Sequence, residues 1–392
     1  MAKAVAVTGN QAVAEALRQI DPDVCAAYPI TPSTEIMQRF AAFVADGDVN
    51  TILVTVESEH SAMSACIGAA AAGGRVVTAT SSQGLALMWE MLYIASGMRF
   101  PILMALVNRA LSAPINIHGD HSDGMGARDA GWIQLYSENA QEAYDNTIQA
   151  LRIAEHMDIS LPIMTCMDGF IISHSIERME YLKDEEVKDF IGEYKALNPL
   201  LDIDNPKTIG ALVLPDYFME HKKAQADAMG KVKAVVLDVA ERFGKLSGRS
   251  YGLFEDYRLG DADITLVIMG SAAGTAKDVI DDLRNRGIKA GLLKPRLFRP
   301  FPYEEIADAL KGVKAICVMD RADSSGGYGP LFMEISSALI HIKERPVMIN
   351  KVYGLGGRDF LPEHAETVLN ELAEIANTGK AKTFKEYITV RE

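Results

Sequence analysis

The sequence predicts an α/β protein: a doubly wound, mostly parallel sheet in the first half, followed by a smaller α/β domain. Three observations lead there. Apolar β-rich runs alternate with helical patterns in the first half, a rhythm that implies parallel strands covered by helices on both faces. The rhythm breaks over residues 185–255 and resumes from Asp263. The chain has 392 residues, 48% of them hydrophobic and 23% charged, enough for two ordinary cores and too apolar for a disordered chain.

In order, Thr51–Val56 reads as a buried strand and 60–73 as a helix of small residues ending at Gly73-Gly74. Arg75–Thr80 is a second strand, Gly84–Gly97 a helix rich in Leu, Met and Trp, and Pro101–Val107 a third strand. A loop rich in Gly, His and Asp leads to a helix over 140–157 and a strand at Leu161–Met167. Residues 185–255 are polar and carry Asn198-Pro199, Asn205-Pro206 and Leu214-Pro215. One helical pattern runs there from about Phe218 to Lys245, and the segment is read as a linker that wraps around a neighbour. Strands at Ile264–Met269, Ile288–Leu293 and Val313–Met319, with a helix reaching Arg286, build the second domain. The expected division is 1–235 with its linker, then 255–392.

The net charge of −14 argues against nucleic acid or anionic lipid as partner. The apolar start Met1–Val7 is too short for a signal peptide, and no apolar run reaches the ~18 residues of a membrane helix. Cys25, Cys66, Cys166 and Cys317 lie far apart and form no CxxC. An iron–sulfur cluster or structural zinc within the chain is therefore not expected, and free thiols in the cytoplasm are.

Three segments carry chemistry. In Tyr28-Pro29-Ile30-Thr31-Pro32-Ser33-Thr34-Glu35, Thr31 sits where an N-cap would, with Pro32 as the first helical residue. Such a helix start offers free N–H groups to an anion; the pattern equally describes an ordinary capped helix. In Val56-Glu57-Ser58-Glu59-His60, two carboxylates follow a strand at its C-terminal end, the edge where open α/β sheets bind ligands; acids there also suit a helix dipole. In the segment 107–123, Arg109 ends a strand and points at the same edge as Glu59. It can clamp a carboxylate with two hydrogen bonds, or pair with a nearby aspartate. His118, Asp120, His121 and Asp123 fit no helix face well, and loop turns commonly carry such residues, so no metal site is read there. Gly270–Gly274 and Ser324–Gly329 are glycine-rich but lack GxGxxG and a Walker lysine, and are read as tight turns.

Taken together, YPITP at 28–32, SEHSA at 58–62, TSSQGL at 80–85, NRALSAPINIHGDHSD at 108–123 and LLKPRLFRPFP at 292–302 resemble blocks of the alpha subunits of 2-oxoacid:ferredoxin oxidoreductases, over nearly the whole chain. The resemblance implies a thiamine-diphosphate pyrimidine-binding fold followed by a domain like the C-terminal domain of transketolase. It matches Glu59 to the glutamate that hydrogen-bonds the aminopyrimidine ring, where a carboxylate favours the imino tautomer that removes the C2 proton. It matches Thr31 and Arg109 to residues that hold the substrate's carboxylate and carbonyl oxygens, and Pro29 to the loop lying along the pyrimidine. The chain has no GDG…N motif for diphosphate and Mg²⁺ and no CxxCxxC. In multi-subunit members those parts, with [4Fe-4S] clusters, sit on beta and delta chains, and a gamma chain completes the assembly. The implied activity is oxidative decarboxylation of pyruvate with coenzyme A, ferredoxin accepting the electrons. Pyruvate is favoured because the 28–35 loop offers no extra cation for a second carboxylate. Branched-chain 2-oxoacids, 2-oxoglutarate and oxalate are the alternative substrates, and a non-catalytic assembly subunit the alternative class.

Overall fold

The computed structural model describes residues 3–391. Its strands are, in chain order, β1 (Lys3–Thr8), β2 (Val24–Ala27), β3 (Ile52–Thr55), β4 (Val76–Thr80), β5 (Leu103–Asn108), β6 (Ile133–Tyr136), β7 (Ile163–Asp168) and β8 (Ile176–Tyr181). After the long helix Pro215–Ser247 come β9 (Phe254–Tyr257), β10 (Ile264–Val267), β11 (Ala290–Pro295), β12 (Leu297–Arg299), β13 (Ala315–Asp320), β14 (Val347–Val352) and β15 (Lys385–Tyr387).

The first sheet has the order β12-β6-β7-β5-β4-β2-β3. Its six first-half strands are parallel. β4, β5 and β7 are continuous apolar runs, buried along their length, as strands covered on both faces must be. One face carries the helices Gly9–Ile20, Thr34–Asp46 and Ala140–Ala154; the other carries Glu59–Ala72 and Trp89–Gly97. The neighbours β2 and β4 thus send their following helices to opposite faces, which opens a crevice at their C-terminal ends.

The second sheet has the order β15-β14-β13-β10-β11-β9, with β9 antiparallel to its neighbour. One of its faces is covered by the helices Ala272–Asn285 and Pro362–Thr378. The other merges into the apolar cluster beneath Glu59–Ala72, where Leu293, Phe298, Ile316 and Leu331 meet Met104, Trp132 and Tyr136. β12 leaves the second domain altogether and adds antiparallel to β6. The two domains therefore share a core and a sheet.

Three sequence expectations need correction. β3 is not a buried strand: it is the sheet edge, and Ile52 is 66% exposed, so its apolar run faces outward on one side. The helix expected over Gly84–Gly97 is two helices, Ser82–Leu87 and Trp89–Gly97, meeting at Met88. Thr31 is not an N-cap: residues 30–33 close their own turn, Ser33 N–H donating to Ile30 O at 2.9 Å, and the helix starts at Thr34 with Ser33 as its cap residue.

The LLKPRLFRPFP block welds the domains by charge as well. Lys294, 3% exposed, donates to Glu138 at 2.5 Å and Glu142 at 2.6 Å and pairs with Glu255 at 2.9 Å. Lys277 bridges the same Glu138 and Glu255. These three carboxylates could hold a metal, but two ammonium groups already stand among them. Burial alone would weaken the Lys294 charge; the carboxylates outweigh it and hold its proton more tightly. Arg296 has no carboxylate against it among the described residues: its guanidinium donates to Asn146, Gln149 and Gly252 O. Lys294→Met should leave the carboxylates around an apolar chain and cost about 3–5 kcal/mol, seen as a lower urea midpoint; an unchanged midpoint would make the cluster decorative.

Candidate active site

The chemically interesting residues lie at the C-terminal ends of the parallel strands: Pro29 and Thr31 after β2, Glu59 after β3, Thr80 and Ser81 at the end of β4, and Arg109 after β5. Glu59 is the first residue of its helix, set by Ser58, whose hydroxyl accepts the Ser61 N–H at 3.2 Å. It is 7% exposed, and among the described residues nothing hydrogen-bonds its carboxylate. Among the described residues, the hydroxyl of Thr80, which meets the same Gly84 wall as Glu59, and that of the next residue, Ser81, are buried without partners. Groups of this kind are costly to leave unpaired. Gly84 forms the wall: a Cβ there would overlap Thr80 Oγ1 and lie 2.8 Å from Glu59 Oε1. A carboxylate acceptor, two idle hydroxyls and a side-chain-free wall suit a flat ring with N–H groups on its edge, such as an aminopyrimidine. Glu57, by contrast, is exposed.

Arg109 and Thr31 meet. Arg109 Nη1 donates to Thr31 O at 2.9 Å and Nε to Asn116 O at 2.8 Å. Among the described residues Nη2 has no partner, so the planar fork is anchored to backbone while one end stays available. Burial lowers the Arg109 pKa, with Asp123 opposing it. Pro29 and the Thr31 side chain stand exposed at the rim, and the loop is pinned from beneath by Asn10 Nδ2 donating to Pro32 O at 2.9 Å.

The four HGDHSD side chains His118, Asp120, His121 and Asp123 share no partner among the described residues. Asp123 accepts from Ser82 N–H, Asn108 Nδ2, Arg109 N–H and Gly124 N–H at 2.7–3.0 Å. Burial pushes its carboxyl up to about 6 although all four bonds pull it down. His121 Nε2 lies 2.6 Å from Asp168 Oδ1, Asp120 accepts from Ser122 and Gly356 N–H, and His118 stacks near Phe170. Sequence reading missed Asp168, the last residue of the buried strand β7; an acid closing an apolar run at this edge was the available signal.

The residues 15–241 match the model for "Pyruvate flavodoxin/ferredoxin oxidoreductase, thiamine diP-bdg", and 262–365 match "Pyruvate:ferredoxin oxidoreductase core domain II". Among solved structures, a 2-oxoglutarate:ferredoxin oxidoreductase from Magnetococcus marinus superposes with a TM-score of 0.75 at 22% identity, over 94% of this chain and 65% of that one. A split-gene transketolase in an inactive beta4 tetramer gives a TM-score of 0.54 at 12% identity, over 94% and 99%. The fold is thus the doubly wound α/β fold of thiamine-diphosphate enzymes. Curated relatives include the pyruvate synthase subunit PorA of Thermotoga maritima, 56% identical over 92% of each chain, and that of Methanocaldococcus jannaschii, 49% identical over 95% of each. The ketoisovalerate oxidoreductase subunit VorA of Pyrococcus abyssi is 43% identical over 95% of this chain and 94% of its own. The chain belongs to the pyruvate flavodoxin/ferredoxin oxidoreductase family.

Gly84→Ala should displace Glu59 or Thr80. Overpacking of about 1–3 kcal/mol predicts weaker retention of thiamine diphosphate by the assembled enzyme, roughly 5- to 150-fold. Undiminished cofactor content after dilution would mean that the Gly84 wall does not touch the cofactor.

Proposed function

We propose that this chain is the alpha subunit of a pyruvate synthase, a thiamine-diphosphate enzyme that converts pyruvate and coenzyme A to acetyl-CoA and CO2, reversibly, with two electrons passing to ferredoxin. The observation that carries the reading is the buried Glu59 carboxylate, without a hydrogen-bond partner among the described residues, at the strand end it shares with the idle hydroxyl of Thr80. The pyruvate synthase subunits at 49–56% identity favour pyruvate over a branched oxoacid. The 28–35 loop, with no lysine or arginine, supports a substrate with one carboxylate.

Bound thiamine diphosphate supplies a thiazolium that stabilises the carbanion released on decarboxylation. Glu59 holds a proton at the aminopyrimidine ring nitrogen, and its buried setting strengthens that hydrogen bond. The Pro29 backbone would lie along the ring. Arg109 presents its idle Nη2 to the oxoacid carboxylate, and the Thr31 hydroxyl donates to a carbonyl or carboxylate oxygen. Fixing the guanidinium on two backbone carbonyls removes the ordering cost at the moment of binding.

The chain supplies half of a shared site. Diphosphate, Mg²⁺ and [4Fe-4S] clusters belong to partner beta and delta subunits, with a gamma subunit completing the hetero-oligomer. The exposed apolar side chains Leu87, Trp89, Tyr93, Ile115 and Ile117 around the crevice support its closure by a partner chain. We divide the chain at 1–235, carrying the site and its wrapping linker, and 255–392. Four unpaired, buried cysteines suit a reducing cytoplasm. In the assembled enzyme, Glu59→Ala should slow exchange of the cofactor C2 proton by about 10²–10⁴-fold, while exposed Glu57→Ala has little effect. NMR exchange showing equal losses at both positions, or a better kcat/KM for 2-oxoisovalerate than for pyruvate, would refute this reading.

A further inference from the structure

The segment 109–123 is built as a flap. Its two arms join through Ala110 N–H to His118 O at 3.0 Å and Leu111 N–H to Ser122 Oγ at 3.0 Å. Its tip, residues 112–117, projects with Ile115 80% exposed. Arg109 hangs beneath the tip, its Nε held by Asn116 O at 2.8 Å. The aim of the guanidinium therefore depends on where the tip sits.

The tip and the far arm are held by the second domain. Asn116 Nδ2 donates to Gly356 O at 3.0 Å, and Gly356 N–H donates to Asp120 Oδ2 at 3.0 Å. At the base, His121 N–H donates to Arg321 O at 2.8 Å, and the His121 ring meets Asp168. Asp168 in turn accepts from Arg321 Nη1 at 2.9 Å and from Ser271 N–H at 2.8 Å and Oγ at 2.5 Å. All of His121, Asp168 and Arg321 are at most 3% exposed. Gly270, in the left-handed region at φ +73°, brings this turn so close that a Cβ would lie 2.7 Å from Asp168 Oδ2.

Docking of the domains does not need these bonds, because the shared apolar cluster and the β12–β6 pairing already fix them together. We propose that the second domain acts as a positioning device for Arg109, with Arg321 as the positioning residue at the flap base and the Gly356 backbone as the latch at its tip. This inference rests on the proposed role of Arg109 in holding the oxoacid carboxylate. It gives the second domain a function inside the active site that is separate from assembly: it sets affinity for the oxoacid without touching it. Among the described residues, Glu59, Thr80 and Gly84 make no side-chain hydrogen bond to the flap's second-domain anchors, and the Ser82–Asp123 bond that sets the Gly84 wall is made within the first domain, so proton chemistry at the cofactor should be untouched.

The test uses the assembled complex with pyruvate. Arg321→Gln should raise KM for pyruvate and lower kcat/KM by about 10–100-fold, with C2 exchange of the bound cofactor unchanged and, in the purified chain without partners, protease cleavage within 111–118 accelerated. Arg321→Lys keeps the charge and should recover part of the KM. Should Arg321→Gln fail to assemble, Asn116→Ala reports on the same device, because it removes the tip latch and keeps the backbone carbonyl that Arg109 uses. An unchanged KM and cleavage rate in Asn116→Ala, or C2 exchange lost in step with KM, would overturn the proposal. Wild-type complex that turns over no oxoacid would instead overturn the assigned function, and the protease readout would still report on the flap.

Discussion

The carboxylate of Asp123 is the point on which the site depends. It gathers the N–H groups of Ser82, Arg109 and Gly124 and the amide of Asn108, and so ties the ends of two adjacent parallel strands to one anchor. Ser82 is held with φ at +47°, a conformation that a residue other than glycine adopts only where its surroundings over-determine it. Its hydroxyl reaches Ala110 O at 2.6 Å. Through Ser82 the anchor places the wall at Gly84, and with it the setting of Glu59; through Arg109 N–H it places the guanidinium. Burying a carboxylate costs energy, visible in its raised pKa, and four donors offset that cost.

The same economy recurs between the domains. The buried polar contacts there are specific: Lys294 and Lys277 among three glutamates, Arg296 on neutral amides, Arg321 on Asp168. Burial would raise the Asp168 carboxyl, but Arg321 and His121 overcome it and hold it well below the usual range. An ion pair of this kind adds little stability compared with an apolar pair, but it fixes one geometry. In this chain the geometry so fixed is that of the loop carrying Arg109.

Much of this was legible in the amino-acid order. The strand–helix rhythm identified the fold because parallel strands buried on both faces must be continuously apolar, as β5 and β7 are. Glu59 and Arg109 were placed at one edge because each follows such a run directly. Local signals misled where tertiary context decided. Thr31 has the residue type of an N-cap, but a turn closed at Ser33 delays the helix. The apolar run at 51–56 looks buried, but its position at the sheet edge leaves one side open. The pairing of Asp168 with Arg321 was silent in sequence, because the two are 153 residues apart and meet only when the two domains do; the acid at the end of the apolar run was the one visible half of it. The idle hydroxyls of Thr80 and Ser81 were equally silent, since lack of a partner is a property of three dimensions.

Leu87, Trp89, Tyr93, Ile115 and Ile117, on the segments that follow β4 and β5, are exposed, and under the proposed function a second chain covers them. Under the proposed function, the chain provides the aminopyrimidine and oxoacid half of a site and cannot hold the cofactor by itself. Equilibrium dialysis of thiamine diphosphate with Mg²⁺, against the purified chain and against the chain reassembled with its partner subunits, tests this directly. The proposed function requires stoichiometric binding and pyruvate decarboxylation by the assembly, with neither by the chain alone. Saturable cofactor binding with oxoacid turnover by the isolated chain would contradict it.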